Sequence, residues 1–360
     1  MWRYLVKRVL LFIPTLFIIT VISFAVSRLA PGDPAAAKVG QGAEGGVSGR
    51  STLNEKTIEL IRQQWHLDKP IWQQYAIWTG GLMCFDMSGV FTPQGTHWSA
   101  ASFTGKPDFG KSFQDNRPVF DKMVERVPVT LTMNLIAIIL AYLIAVPLGI
   151  YSATHPGTVA DRISTFVLFA LYSLPVFWIG TLAITFLANP EFISIFPSSG
   201  LRSPSFSVNW SLWKKLADYS WHLALPMIVY VYADFAFISR QMRSSMLEVI
   251  RQDYVRTARA KGLGERAVVY RHALRNALIP LITLVAALIP NLIGGSVIIE
   301  SIFSIPGMGE LSFRGLVARD YPMIMAVFTV SAVLTLAGML VADILYSFAD
   351  PRISYGKKAA

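Results

Sequence analysis

Six stretches of the chain stay apolar long enough to cross a bilayer, for which a helix needs about 20 residues. They are Val9–Val26, Leu131–Tyr151, Ser164–Ala188, His222–Ile238, Leu278–Ile299 and Ala326–Phe348. The pattern predicts an all-α polytopic membrane protein with six transmembrane helices. The first run follows Arg3, Lys7 and Arg8 as a secretory signal would. Its apolar stretch exceeds a usual signal core and its small-residue exit is weak, so it reads as an uncleaved span. Pro14, Pro147, Pro175 and Pro226 are expected to kink or begin helices.

Between the fourth and fifth runs lies a basic interruption, Arg240–Arg275, with more charged helix than a simple turn requires. It predicts two short helices joined at glycine. Gly262 and Gly264 suit the left-handed conformation that ends a helix, and Arg256, Arg259 and Lys261 suit its C-terminal dipole. Tyr254, Val255 and Ala258 form a small apolar ridge among the charges, so one face fits a partner's groove. An amphipathic cationic loop of this kind also fits anionic lipid, and both readings stand from the residues alone.

With 53% hydrophobic and 15% charged residues, the composition is too apolar for a soluble domain of this length. The net charge of +10 falls mainly between spans and comes without a zinc-finger or base-stacking motif, so no nucleic-acid partner is expected. Lys and Arg number three at the N-terminus, one in 152–163, nine in 240–277 and three in the tail. The alternate segments 189–221 and 301–325 carry three and two. The positive-inside rule therefore puts both termini and the basic interruption in the cytoplasm.

Residues 28–126 then lie outside, and a segment of that length should hold structure of its own. Thr52-x-x-Glu55 reads as a capping box opening a helix that runs to about Trp65, with Leu67-Asp68-Lys69-Pro70 as its stop. Gly40–Gly49 reads as a flexible linker and Phe91–Lys106 as an aperiodic loop. Trp65, Trp72, Tyr75 and Trp78 fit either a membrane-interface surface or a small soluble core. The lone Cys84 permits no internal disulfide and reads as a small apolar side chain.

No constellation for catalysis is present. The five histidines show no metal-ligand spacing, and there is no GxSxG elbow. The run Gly45-Gly46-Val47-Ser48-Gly49-Arg50-Ser51-Thr52 lacks the order of a phosphate loop. Transport against a gradient would need a partner to supply the energy.

Tyr254-Val255-Arg256-Thr257-Ala258-Arg259-Ala260-Lys261-Gly262-Leu263, continued by Arg271-His272-Ala273-Leu274-Arg275-Asn276-Ala277-Leu278-Ile279-Pro280, resembles the permease subunits of binding-protein-dependent ABC importers. The likeness is to the peptide/nickel branch and its first, B-type permease. Gly262 stands at the superfamily's loop glycine, while Arg256 replaces its glutamate and Leu274-Arg275 its Leu-Pro, departures similar to those of the peptide branch. Similar stretches include Ala30-Pro31-Gly32-Asp33-Pro34, Arg126-Val127-Pro128-Val129-Thr130-Leu131, Glu300-Ser301-Ile302-Phe303-Ser304-Ile305-Pro306-Gly307-Met308-Gly309, Arg319-Asp320-Tyr321-Pro322 and Asp350-Pro351-Arg352-Ile353. The long external segment resembles that of a subgroup including importers of microcin C, a peptide-nucleotide antibiotic, and of larger peptides.

The resemblance implies the type I ABC importer permease fold in a bacterial cytoplasmic (inner) membrane. Residues 1–27 would form the first span, 28–126 the periplasmic segment, 127–348 the transmembrane domain with a coupling loop at 240–277, and 349–360 a cytoplasmic tail. This permease and a homologous second one would enclose the path as a heterodimer. Two cytoplasmic ATPases would hold ATP and Mg, and a periplasmic or lipid-anchored solute-binding protein would deliver the ligand. The chain itself would bind no cofactor or metal and catalyse nothing. Asp253, Tyr254, Val255, Arg256, Thr257, Ala258, Arg259, Ala260, Lys261 and Gly262 would form the coupling helix that seats on one ATPase. Peptide is the expected ligand, with nickel or another small solute as the alternative.

Four membrane-level features remain. Asp234 in the fourth span should face the bundle or water rather than lipid. It reads either as a path group attracting an amine-bearing ligand or as a structural or interfacial carboxylate. Glu300 follows Gly294-Gly295, which permit close helix approach, and Pro306-Gly307-x-Gly309 forces a turn. By resemblance this region, with Phe303, belongs to an outer gate, and Glu300 either pairs across the permease interface or is a plain interfacial carboxylate. Asp343 reads as structural. An ion-coupled secondary transporter is the competing class, and the lack of an inverted repeat speaks against it.

Overall fold

A helix forms wherever an apolar run can satisfy its own backbone, which is what the hydrocarbon phase demands. The computed structural model describes residues 2–29, 35, 51–92, 95–288 and 291–349. The Ala30–Pro34 motif, the Gly40–Gly49 linker, the phosphate-loop-like run as far as Arg50 and the tail from Asp350 lie outside the described residues. In chain order the helices are α1 Trp2–Leu29, α2 Ser51–Gln64, α3 Ile71–Leu82, α4 Val119–Thr154, α5 Val159–Ser173 and α6 Val176–Ala183. They continue with α7 Leu212–Ile250, α8 Asp253–Ala260, α9 Glu265–Ala267, α10 Leu274–Ala277 and α11 Ile279–Leu288. The last are α12 Asn291–Gly294, α13 Val297–Ile302, α14 Met308–Val317 and α15 Tyr321–Ala349.

Among the described residues four helices are long and apolar enough to span a membrane: α1, α4, α7 and α15. A fifth is counted if α5 and α6, which meet at 93°, make one span. The third apolar run is therefore bent, and the cause is Pro175, as its position in the run led one to expect. It forces Leu174 into an extended conformation (ψ 129°) and stands at the N-cap of the new helix. The Leu174 carbonyl released by the bend accepts the Tyr232 hydroxyl at 2.7 Å. The expected fifth span is not one helix either. Among the described residues it breaks at Gly295–Ser296, between α12 and α13, where Gly295 at φ +74° takes a conformation that side chains resist.

The chain divides into two units, one of Pro128–Glu310 with 335–360, the other of Trp2–Val127 with Leu311–Leu334. The first is built on α4 and α7. The α7 helix is 39 residues long, about 58 Å at 1.5 Å per residue. It runs past the expected end of the fourth span and makes 239–250 helical rather than part of a connecting loop. Ser239, Met242, Ser245 and Met246 are buried there at helical spacing, which continues the apolar face under the charges. At Gly149 of α4 a Cβ would lie 2.6 Å from Met242 Cβ and 2.7 Å from the Ser239 carbonyl. The two backbones therefore cross with no glycine-side side chain to hold them apart.

One ion pair ties α5 and α7 together beside that crossing. Arg243 Nε and Nη2 each donate to Asp161 at 3.0 Å, Gly157 N donates at 2.9 Å, and the Ser152 hydroxyl also donates to Asp161. Asp161 is buried, and Thr158 in turn caps α5 by accepting from Asp161 N. In the second unit the segment from Trp65 to Phe113 packs with α1 and with itself. Phe24 lies edge-on to Tyr75 and stacked on Trp78, the Thr20 and Tyr75 hydroxyls meet at 3.0 Å, and Trp65 stacks on Phe113. All four of these aromatics are thus packing groups, Trp72 edge-on to Phe91. Only Trp72 among them is largely exposed.

Phe91–Lys106 is not a featureless loop. Phe91–Thr92 pairs antiparallel with Gly95–Thr96, and Phe85–Asp86 pairs with Ser102–Phe103. Lys69 Nζ stitches this region by donating to the Ser88 and Phe91 carbonyls at 3.2 and 2.7 Å. Thr52 is already helical, within α2 rather than at its cap.

Replacing Asp161 by Asn should cost about 2–3 kcal/mol, because Arg243 would be left without its counter-charge. The check is the thermal midpoint of the detergent-solubilised protein, which should fall by several degrees. Asp161→Leu with Arg243→Met should recover at least half of the loss. An unchanged midpoint in Asp161→Asn would show that the pair holds nothing together.

Candidate functional site

The basic segment 251–277 forms the helical hairpin expected from its glycines, with one difference. Gly262 adopts φ +79° and reverses the chain after α8, whereas Gly264 has φ −61° and caps α9 from an extended conformation. From Glu265 the chain stays helical to Leu288 except at Leu278, by way of a π-helical turn at Val268–Ala273. The short helix is therefore joined to the fifth apolar run by nearly unbroken helix.

Burial fixes which way α8 faces. Val255 (0% exposed) and Ala258 (5%) are buried within the chain, as are Val268, Val269 and Ala273 of the π-helical turn. Val255 and Ala258 of the ridge therefore face inward, against the expectation that the ridge would fill a partner's groove. Two uncharged positions one helical turn apart suffice to seat so short a helix on its own protein. Tyr254 is partly exposed and accepts a 2.7 Å hydrogen bond from Asn276 Nδ2. The surface left facing outward is Asp253, Tyr254, Arg256, Thr257, Arg259, Ala260, Lys261 and Gly262.

Within that surface Arg259 forks onto Glu265, Nε to Oε2 at 3.1 Å and Nη2 to Oε1 at 2.6 Å. The hydrogen bond from Arg259 holds the Glu265 carboxyl below its ordinary range. The pair is exposed and adds little to stability, but it fixes the loop's shape. Arg256 leans toward Asp253 at 3.6 Å and is otherwise open.

The Glu300 region is built quite differently. Glu300 is 1% exposed, although it carries a charged side chain and stands among groups expected to open to the outside. Its Oε1 accepts from the Thr130 hydroxyl at 3.0 Å and Ser296 N at 3.3 Å, and its Oε2 accepts from Glu310 N at 2.9 Å. Thr130 itself accepts from Met308 N at 2.8 Å. The carboxylate thus sits on the N-terminus of α14, where unpaired N–H groups and the dipole favour an anion.

Glycine makes the room. A Cβ on Gly307 would land on the carboxylate, one on Gly295 would come within 2.5 Å of Oε1, and one on Gly309 within 2.6 Å of Val297 N. Both Glu300 oxygens are consumed inside the subunit, so neither pairing across an interface nor a plain interfacial carboxylate describes the residue. Phe303 is likewise fully buried, and its carbonyl accepts from Gly200 N at 2.9 Å. The turn at Pro306 is shaped by two further backbone bonds, from Ile305 N to the Glu300 carbonyl and from Gly307 N to the Ile305 carbonyl, both at 2.8 Å.

A second buried carboxylate organises the other unit. Asp320 (1% exposed) accepts from the Ser112 hydroxyl at 2.5 Å and Phe113 N at 3.1 Å, and Lys122 Nζ donates to Ser112 at 3.2 Å and to Asp115 at 2.9 Å. In the sequence Thr130 and Asp320 stand out only as parts of stretches similar to the permease family, and Ser112, Asp161 and Arg243 carry no signal of a role. Their partners lie up to 208 residues away, so no local pattern announces them. Asp234 is exposed on the subunit, and the described residues hold no cluster of metal-ligating side chains.

Glu300→Ala should destabilise the protein by about 3 kcal/mol or more, since it strands several buried donors. Gly307→Ala should be comparably harmful by expelling the carboxylate. Folded yield and resistance to protease in detergent check this, with Glu300→Gln intermediate between wild type and Glu300→Ala. Wild-type behaviour of Gly307→Ala would show that the clamp is not closed.

Two family models match the chain. "Binding-protein-dependent transport system inner membrane component" covers residues 145–355, and "Binding-prot-dependent transport system membrane comp, N-term" covers 1–134. The chain is 37% identical over 355 residues to the "Oligopeptide transport system permease protein AppB" of Bacillus subtilis (strain 168), covering 99% of this chain and 100% of the relative. It is 32% identical over 373 residues to the "Dipeptide transport system permease protein DppB" of Escherichia coli (strain K12), with 99% and 100% covered. It is also 32% identical over 386 residues to the "Peptidoglycan transport system permease protein YejB" of Agrobacterium fabrum, again with 99% and 100% covered. A solved structure, "Inward facing conformations of the MetNI methionine ABC transporter", aligns with a TM-score of 0.49 at 17% identity, covering 64% of this chain and 97% of that one.

Proposed function

Because the chain belongs to the binding-protein-dependent transport system inner membrane component family, we propose that it forms half of the path of an ATP-driven peptide importer, with a homologous permease as the other half. Two ATPase subunits supply ATP and Mg from the cytoplasm, and an external solute-binding protein delivers the peptide. Six spans cross the bacterial inner membrane, the divided segment 278–299 counting as one, with both termini in the cytoplasm. The division into a first span (1–27), an external segment (28–126), a transmembrane domain (127–348) and a tail (349–360) is part of the same reading.

The observation that carries this reading is the seating of α8. Its apolar side is spent on the chain itself, with Val255 and Ala258 buried. A polar and cationic face is left outward, suited to a cleft on an ATPase. The reversal at Gly262 and the helix from Glu265 connect that face to the fifth apolar run. A displacement of α8 therefore reaches the membrane through helix rather than through slack chain. Full-length similarity to permeases of oligopeptide, dipeptide and peptidoglycan systems supports peptide as the ligand class. ATP binding at the partners would shift the subunit between inward- and outward-facing populations.

A Cβ at Gly262 would meet nothing within 4 Å, but φ there is +79°, so Gly262→Val tests loop conformation rather than packing. In proteoliposomes holding all subunits, Gly262→Val should reduce ATP-driven peptide uptake at least tenfold while the protein still inserts and assembles. Full uptake by this variant, or uptake by the wild type without any ATPase, would overturn the assignment.

A further inference from the structure

The α7 helix carries Tyr230 and Asp234 one helical turn apart on one face. The neighbouring α4 contributes Asn134 and Tyr142. The Tyr230 hydroxyl donates to Asn134 Oδ1, and Asn134 Nδ2 donates to the Leu292 carbonyl at 2.8 Å. The Tyr142 hydroxyl donates to the Leu281 carbonyl at 3.1 Å. Asp234 lies within electrostatic reach of both tyrosines. Leu281 and Leu292 both belong to the fifth apolar run, which is interrupted at Gly295–Ser296. A polar strip thus follows α4 and α7 beside a discontinuous helix.

Discontinuous helices at membrane depth persist where protein buries them or water lines them, and they recur at solute sites. Asp234 is exposed on the subunit, within an otherwise apolar stretch of α7. Among the described residues no hydrogen bond or ion pair reaches its carboxylate. A structural aspartate would be expected to have donors, as Glu300 and Asp320 do. A carboxylate held without them inside an apolar run fits water or a visiting cation.

We propose that Asp234, flanked by Tyr142 and Tyr230, is a transient station for the ammonium group of the transported peptide. The carboxylate supplies the counter-charge, and the tyrosine rings and hydroxyls add cation–π and hydrogen-bonding contacts. A single carboxylate on an open face holds a cation weakly enough to release it, as a conducting path requires. The proposal rests on the importer reading above and names one contact within it.

The test places a reporter thiol at Gln241, two helical turns along the same face, in a Cys84→Ser background. Cationic and anionic methanethiosulfonates are compared in the assembled complex. The cationic reagent should be favoured, and Asp234→Asn should lower the cation-to-anion rate ratio at least threefold. With saturating peptide-loaded binding protein, Asp234→Asn should slow uptake about tenfold while binding-protein-stimulated ATP hydrolysis stays within twofold, and Asp234→Glu should restore uptake. No labelling, an unchanged ratio, or wild-type uptake by Asp234→Asn overturns the station. Loss of ATP coupling in the wild-type complex would instead overturn the importer reading.

Discussion

A buried carboxyl group with no cation beside it among the described residues dictates the local architecture around it, and Glu300 is such a group. Removed from water, it has to be met by donors whose positions cannot drift. Those donors come from α4 through Thr130, from the break before α13 through Ser296, and from the start of α14 through Glu310. Three glycines have to withhold their side chains for the oxygens to fit. The positive φ at Gly295, the turn at Pro306-Gly307 and the position of Thr130 are therefore parts of one solution. The helix that should have crossed as the fifth span is divided next to this clamp, and polar groups of α4 reach its carbonyls ahead of the break.

Much of this was legible in the chain. The runs at Val9–Val26, Leu131–Tyr151, His222–Ile238 and Ala326–Phe348 announced long helices, because hydrophobic length is a local property. The hairpin at Gly262 was legible for the same reason: one glycine and a change of charge mark it. What composition could not convey was direction. The ridge of Val255 and Ala258 looked like a face for a partner, and only the burial of those residues alongside the π-helical turn showed that the face points inward. The bend at Pro175 was foreshadowed by the proline, but not its size, since 93° depends on where Tyr232 can recover the lost carbonyl. The clamps around Glu300, Asp320 and Asp161 were hidden because each joins residues remote in sequence.

Charge is placed economically throughout. Asp161 and Arg243 neutralise each other between helices, Lys122 is held by Asp115 and Ser112, and Arg259 is engaged by Glu265. Glu300 and Asp320, which among the described residues have no cation beside them, accept backbone and hydroxyl donors instead. Against this background the Asp234 carboxylate stands apart. The outward surface of α8 is distinctive too, because cations are displayed there rather than drawn into the fold.

The bare crossing at Gly149 has a mechanical consequence. With no side chain to act as a bearing on the α4 side, α4 and α7 cannot roll over one another there. The Asn134–Tyr230 bond fixes the same two helices again further along α4. Two rods riveted at two points form a strut. In the same unit, the corner at Pro175 and the break at Gly295–Ser296 are the places where the helices are already jointed.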